Sequence, residues 1–397
     1  MKGGLIGFKR IFEFLFPCLN LRISQLLFSN IAGWSTLENN PELPQAQLVL
    51  VFGSREHLTE TTWFASLRKQ YLKAEIISLS TSGNIQDSEV TDNTLTATVV
   101  EFAKTRIKTT LANIGTMENS YEAGKIVGSI LQESDLKHLL IFSEGNKVNG
   151  SELVKGLNEV VKAPITGGLA GDAARFEKTL VGLNNLPSEG NIVGLALYGT
   201  AIEVGYGHFG GWDPFGPDRL VTKSKNNILF ELDGKSALEL YKTYLGDKAK
   251  DLPGSALLFP LGMRLKENGP MLTRTILSIN EADQSMVFAG DVPEGATVQL
   301  MKANFEKLID ASSTAAEKSL LTIGPGAELA LLISCVGRKL VLDQRIEEEV
   351  DAVRDILGPK PKIAGFYSYG EISSILDSPS CELHNQTMTI TLLKENL

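Results

Sequence analysis

From residue 45 onward, apolar runs of strand length alternate with stretches of helical periodicity, the pattern of an α/β chain. Gln47 to Phe52 reads as a buried strand, and Trp63, Phe64, Leu67 and Tyr71 then fall at helical spacing. The strand Glu75 to Ser80 follows and runs into Thr81-Ser82-Gly83-Asn84. The same order recurs twice. Lys137 to Ser143, a helix over Ser151 to Val161 and Ile165 lead into Gly168-Leu169-Ala170-Gly171-Asp172. Glu328 to Ser334, a helix over Arg345 to Leu357 and a strand around Ile363 lead into Tyr367-Ser368-Tyr369-Gly370-Glu371. Each unit is therefore strand, helix, strand and glycine turn. Glycine followed by a polar residue lets the backbone turn close to another group, so the three turns are expected to converge on one cleft.

Between the units, Thr94 to Phe102, Ile192 to Tyr198, Ala201 to Tyr206, Ile228 to Leu232 and Met271 to Ile279 read as antiparallel strands with one wet face. Helices are expected over Ser236 to Leu245, closed by Gly246, and over Phe305 to Leu321. The reading is a mixed α/β (α+β) chain of two related sheet-and-helix domains, 45–234 and 235–392, divided near Asp233-Gly234. Residues 1–44 precede them as a basic, apolar extension.

In its first thirty residues Lys2, Lys9, Arg10 and Arg22 stand against Glu13 alone, in a chain whose net charge is −9. The apolar stretch Ile11 to Leu19, interrupted by Glu13 and Pro17, is too short to span a bilayer. Phe8, Ile11, Phe12, Leu15 and Phe16 nearly repeat at amphipathic-helix spacing. Residues 1–30 are thus expected to touch the core little and to give at most weak peripheral membrane contact. The acidic balance, with no cationic face, excludes nucleic acid as main partner.

Cys18, Cys335 and Cys381 form no paired motif, which suits a reducing, cytoplasmic compartment. The sequons at Asn149 and Asn385 are then accidental. Gly205-Tyr206-Gly207-His208-Phe209-Gly210 fits GxGxxG, but Gly211-Trp212-Asp213-Pro214 cannot continue as the helix that a pyrophosphate needs. Ser368, Glu371 and His384 assemble into a hydrolytic triad on paper only. Arg338, just past Cys335, has planar donors that suit a carboxylate.

A set of segments resembles the FIST sensory module. They are Leu48 to Ser54, Gly167 to Asp172, Trp212 to Pro217 with Val221-Thr222-Lys223-Ser224, Glu231-Leu232-Asp233-Gly234, Ser334 to Arg338, Ala364 to Ile372 and Cys381 to Thr389. They run in order from about residue 45 to 392. The resemblance implies a FIST N-terminal and a FIST C-terminal domain and a non-enzymatic, intracellular signalling role. It also implies a small ligand, usually an amino acid, and a partner such as a histidine kinase. One branch resembles haem-binding nitric-oxide sensors, for which His208 and His384 are the candidate ligands. The chain departs from the family at Ser80 and at Gly83-Asn84, where a cysteine and a Gly-Glu pair are commoner, and at Gly211 before Trp212. The expected ligand site comprises Arg338, Tyr367, Tyr369, Glu371, Asp172, Asn84 and Trp212. The alternatives are the haem sensor and an unrecognised hydrolase.

Overall fold

Leu48–Gly53 is buried at every position because both faces of its sheet are covered, which is why it reads as an unbroken apolar run. It belongs to a computed structural model that describes residues 21–396 except 117–118, 253, 267–268, 270 and 377–379. Three six-stranded sheets share one plan. In each, two parallel strands are joined through a covering helix, and an antiparallel strand lies beside the first of them. The pairs are Leu48–Gly53 with Glu75–Ser80, Leu136–Ser143 with Ile165–Leu169, and Leu329–Cys335 with Lys362–Ser368. Their helices are Thr62–Gln70, Gly150–Val160 and Ile346–Leu357. The antiparallel neighbours are Leu95–Glu101, Asn191–Tyr198 and Met388–Glu395.

After its glycine turn, each unit leaves its own sheet. The first enters the third sheet as Asn84–Gln86, paired with Lys362–Ser368. The third enters the second sheet as Gly370–Ser374, paired with Ile165–Leu169. The second returns to the first sheet as Val181–Leu183, paired with Glu75–Ser80. The exchange closes on itself, so no sheet is built by one unit alone. At the crossing, Ser82 N–H donates to Tyr367 O (2.8 Å), Tyr369 N–H to Leu169 O (3.1 Å) and Gly171 N–H to Ser80 O (2.9 Å). These three bonds link first unit to third, third to second and second to first.

The inner faces of the three sheets merge in one core containing Phe52 and Leu79, Phe142 and Leu195, and Ile333 and Phe366. Outside it, Trp63 and Leu67 cover the first sheet, Val127, Leu153 and Leu157 the second, and Ala315, Val350 and Val353 the third. Each buried valine or leucine among them contributes about 1.5–3 kcal/mol by leaving water. A fourth sheet, from Asp213–Lys225 to Thr297–Lys302, packs with the helix Ala237–Leu245 around its own core of Leu229, Leu238, Tyr241 and Phe288.

Three expectations change. Leu95–Glu101 and Asn191–Tyr198, expected to keep one wet face, are buried on both faces because helices or further sheet cover them. Arg22–Ser29, assigned to the loose extension, is an interior strand of the first sheet, paired with Leu95–Glu101 on one side and Gly33–Thr36 on the other. Ile23 joins the central core, while Leu26 and Phe28 face the outer one. The amphipathic repeat Phe8 to Phe16 and Cys18 lie outside the described residues. The stretch Met271 to Ile279 is two strands, Leu272–Arg274 and Ile276–Asn280.

The GxGxxG segment lies on the strand Ile202–Phe209. A Cβ at Gly205 would lie 2.3 Å from Ser319 O, and one at Gly207 would lie 2.5 Å from Ala315 O. Those glycines let the helix Phe305–Ile323 press against the strand. Among the described residues, no helix is long and apolar enough to cross a membrane.

Candidate functional site

Arg338, the expected carboxylate anchor, is fully buried and already engaged by protein acceptors. Its Nε and one terminal nitrogen donate to Glu349 Oε2 (3.0 and 2.9 Å). Its other contacts are Gly210 O (2.7 Å), Leu308 O (2.7 Å) and Ser312 Oγ (3.0 Å). Glu349 also accepts from Tyr367 Oη (2.8 Å) and Ser334 Oγ (3.0 Å). Burial, followed by the negative charge of Glu349, pushes the Tyr367 hydroxyl well above its ordinary range. Tyr367 thus ties the helix Ile346–Leu357 to the third sheet, and Arg338, on the helix Val336–Leu342, ties it to the helix Phe305–Ile323; neither faces an open cleft. Trp212 is also structural: its Nε1 donates to Gln386 O (2.9 Å), and its ring packs with Met301, Leu308 and Val341.

The glycine turns meet through backbone bonds, but the polar residue after each glycine is turned inward and satisfied locally. Asn84 accepts from Thr81 Oγ1 (2.7 Å) and donates to Thr94 O (3.1 Å) and Thr94 Oγ1 (2.9 Å). Asp172 is clamped by Arg55 (2.9 Å), by Arg175 (2.5 and 2.9 Å) and by Lys178 N–H (3.2 Å). Glu371 accepts from Ser368 Oγ (2.7 Å), Thr387 N–H (3.1 Å) and Thr387 Oγ1 (2.9 Å). Burial pushes its carboxyl up to about 7, and these hydrogen bonds and the nearby Arg338 charge offset it only in part.

His208 and His384 lie ring to ring, with centroids 3.9 Å apart. Burial, then the Lys318 charge, lowers His208 to about 4, and burial together with His208 itself holds His384 well below the usual range. His384 is 4% exposed and its ring is covered by that of His208. The pair therefore does not fit a haem, whose ligand must face an open apolar slot. The paper triad does not assemble either. Ser368 bonds Glu371, and His384 Nε2 is buried without a hydrogen-bond partner.

Tyr369 is placed differently from its neighbours. With Phe176 it lines a cavity of about 440 Å³, large enough for a small molecule. The cavity lies past the carboxyl ends of the parallel strands Leu136–Ser143 and Ile165–Leu169, where ligands of open α/β sheets collect. The loop 145–150 forms one wall, and Asn227, Ser278 and residues 287–290 of the fourth sheet and its following turn form the other. Buried Glu144 shapes the loop by accepting the N–H groups of Asn146 (3.0 Å), Lys147 (2.6 Å) and Val148 (3.3 Å), together with the Thr179 hydroxyl. Asn149 caps the helix through Glu152 N–H (3.1 Å) and donates to Asp291 Oδ1 (3.2 Å), fastening the two walls. Tyr369 Oη accepts from Phe176 N–H (2.9 Å) and reaches Ala173 O (3.3 Å), and burial raises its hydroxyl well above the ordinary value.

Of the expected site residues, only Tyr369 reaches this cavity. Asn146, Asn149, Phe176 and the fourth-sheet wall were not anticipated. The Gly-Asn-Lys-Val-Asn-Gly run after a buried strand is the sequence signal for this loop, although on sequence alone Asn149 stands out only as a sequon.

Residues 47–235 match the FIST N domain, and residues 237–374 match the FIST C domain. An uncharacterized protein of Methanocaldococcus jannaschii is 26% identical over 260 residues, covering 58% of this chain and 49% of that protein. The chain thus spans about half the length of this curated relative.

Proposed function

Since the chain belongs to the FIST family, with its N and C domains in that order, we propose that it is a sensor whose ligand sits in the cavity beside Tyr369 and Phe176. FIST domains are generally signal-transduction modules that bind small ligands, and they are sensory domains rather than catalytic ones. The observation that carries the placement is the composition of the walls. Loop 145–150, Phe176 and Asn227 come from the stretch matching the N domain, whereas Tyr369, Ser278 and Val287 to Gly290 come from the stretch matching the C domain. An occupant touching both walls favours the arrangement in which they are close, and this gives binding a conformational consequence.

The output is contact with a signalling protein such as a histidine kinase. The path toward that surface starts at Tyr369, whose hydroxyl holds Ala173 and Phe176, and continues through Asp172 to the partly exposed Arg55 and Arg175. A thermal-shift screen of the full chain against amino acids and small aromatic metabolites tests the reading. A stabiliser whose effect disappears in Ser278→Trp supports it, and a stabiliser equally effective on that variant contradicts it.

A further inference from the structure

The wall chemistry of this cavity narrows its ligand, an argument that rests on the cavity being the sensory site proposed above. A zwitterionic amino acid brings an ammonium group, which loses water on entry and needs a carboxylate or several carbonyl oxygens in return. Two carboxylates lie next to the cavity, and both are occupied. Glu144 accepts three backbone N–H groups and a hydroxyl. Asp291 accepts Asn149 Nδ2 (3.2 Å) on one oxygen and Lys155 Nζ (2.9 Å) on the other. The charged residue on the wall itself is Lys147, at the exposed end, where it pairs with Glu189 at 3.3 Å.

The remaining surface is aromatic and amide. Phe176 and Tyr369 stack with centroids 4.4 Å apart and planes 19° from parallel, yet Phe176 stays 37% exposed. Asn146, Asn227 and Ser278 supply neutral polar groups. Such a wall stacks a flat π-system and bonds its polar edge, and at the mouth the exposed Lys147–Glu189 pair is weak enough to give way to a negative substituent. We infer that the cavity selects a planar aromatic or heteroaromatic molecule that is neutral or carries an anionic group, and discriminates against free amino acids.

Isothermal titration of the full chain with benzoate, benzamide and L-phenylalanine tests this, because the three share a ring and differ in charge. Benzoate and benzamide are expected to bind saturably, with L-phenylalanine about tenfold weaker or worse. Ser278→Trp, on an exposed stretch of strand, is expected to abolish all binding while leaving circular dichroism unchanged. Leu277→Trp, exposed on the same strand, is the second block should the first tryptophan variant not fold. If L-phenylalanine binds as tightly as benzoate and the block still abolishes it, the ligand class is wrong and the cavity stands. Binding that survives both blocks overturns the cavity itself. Saturable binding by none of the three at millimolar concentration overturns the aromatic assignment.

Discussion

Tyr369 and Phe176 lie nearly parallel, 4.4 Å between ring centroids, and Tyr369 Oη also accepts the backbone N–H of Phe176 at 2.9 Å. One side chain thus supplies a cavity-facing ring and the hydrogen bond that fixes its neighbour. Tyr369→Phe keeps the ring but leaves that N–H without its acceptor, so a loss of about 1 kcal/mol is expected in denaturant titration, with binding retained. Tyr369→Leu removes the stacking surface as well, and affinity for an aromatic probe should fall about tenfold. Equal affinity in the leucine variant would remove Tyr369 from the site.

Glu371 gives the protein a pH dependence with a definite sign. Its folded value, about 7, exceeds the ordinary carboxylate value, so the native state holds a proton that the unfolded chain has released. This contribution is complete below about pH 4.5 and is lost as pH rises through 7. His138, lowered by burial to about 3, works oppositely: its contribution is complete above about pH 6.5 and is lost as pH falls. Each slope can reach about 1.4 kcal/mol per pH unit. Glu371→Gln should therefore make stability rise more steeply between about pH 4.5 and 6.5. It should also gain relative to wild type up to pH 8. Urea titrations at several pH values that run parallel for the two proteins would contradict this.

Arg338 and Glu349 are both wholly buried, so removing one charge strands the other. Arg338→Met is expected to cost about 3–5 kcal/mol, and Arg338→Lys should rescue little because it lacks the planar fork. Binding by the folded fraction should be unchanged. A variant of normal stability that fails to bind would instead restore arginine as a ligand contact.

Gly171 stands where the three units interlock. A Cβ there would meet Ser82 Oγ at 2.3 Å, Ser82 N at 2.8 Å and Tyr367 O at 3.0 Å, and two of those atoms are backbone. Gly199, at φ +100° with nothing within 4 Å, is the control, since alanine there meets only backbone strain. Thermal melts should place Gly171→Ala well below Gly199→Ala. The reverse order would show that the crossing tolerates a side chain.

Most of the fold was legible because its units repeat a local grammar. Glu75–Ser80 and Ile228–Leu232 begin and end where periodicity placed them. Arg22–Ser29 escaped because it is buried on both faces while carrying Ser24 and Gln25, so it neither alternates nor reads as an apolar run. Gln25 is tolerated there because its Nε2 donates to Ile363 O (2.7 Å), 338 residues away in sequence. The site was less legible for the same reason. Whether Arg338 meets a ligand or Glu349 depends on which helix covers the strand, and Glu349 carries no local mark. The exchange of strands among sheets likewise leaves no periodic signature. It decides that Tyr369 faces the cavity while Tyr367, two residues earlier, faces Glu349.

Hydrogen exchange of the full chain locates binding directly at, or away from, the cavity between loop 145–150 and the fourth sheet. With the strongest stabiliser from the thermal-shift screen at saturation, slowed exchange is expected at Gly145 to Gly150, Phe176 and Val287 to Gly290. Protection confined to Ser82 to Asn84, or to the strands carrying His208 and His384, with residues 145–150 unchanged, would contradict it.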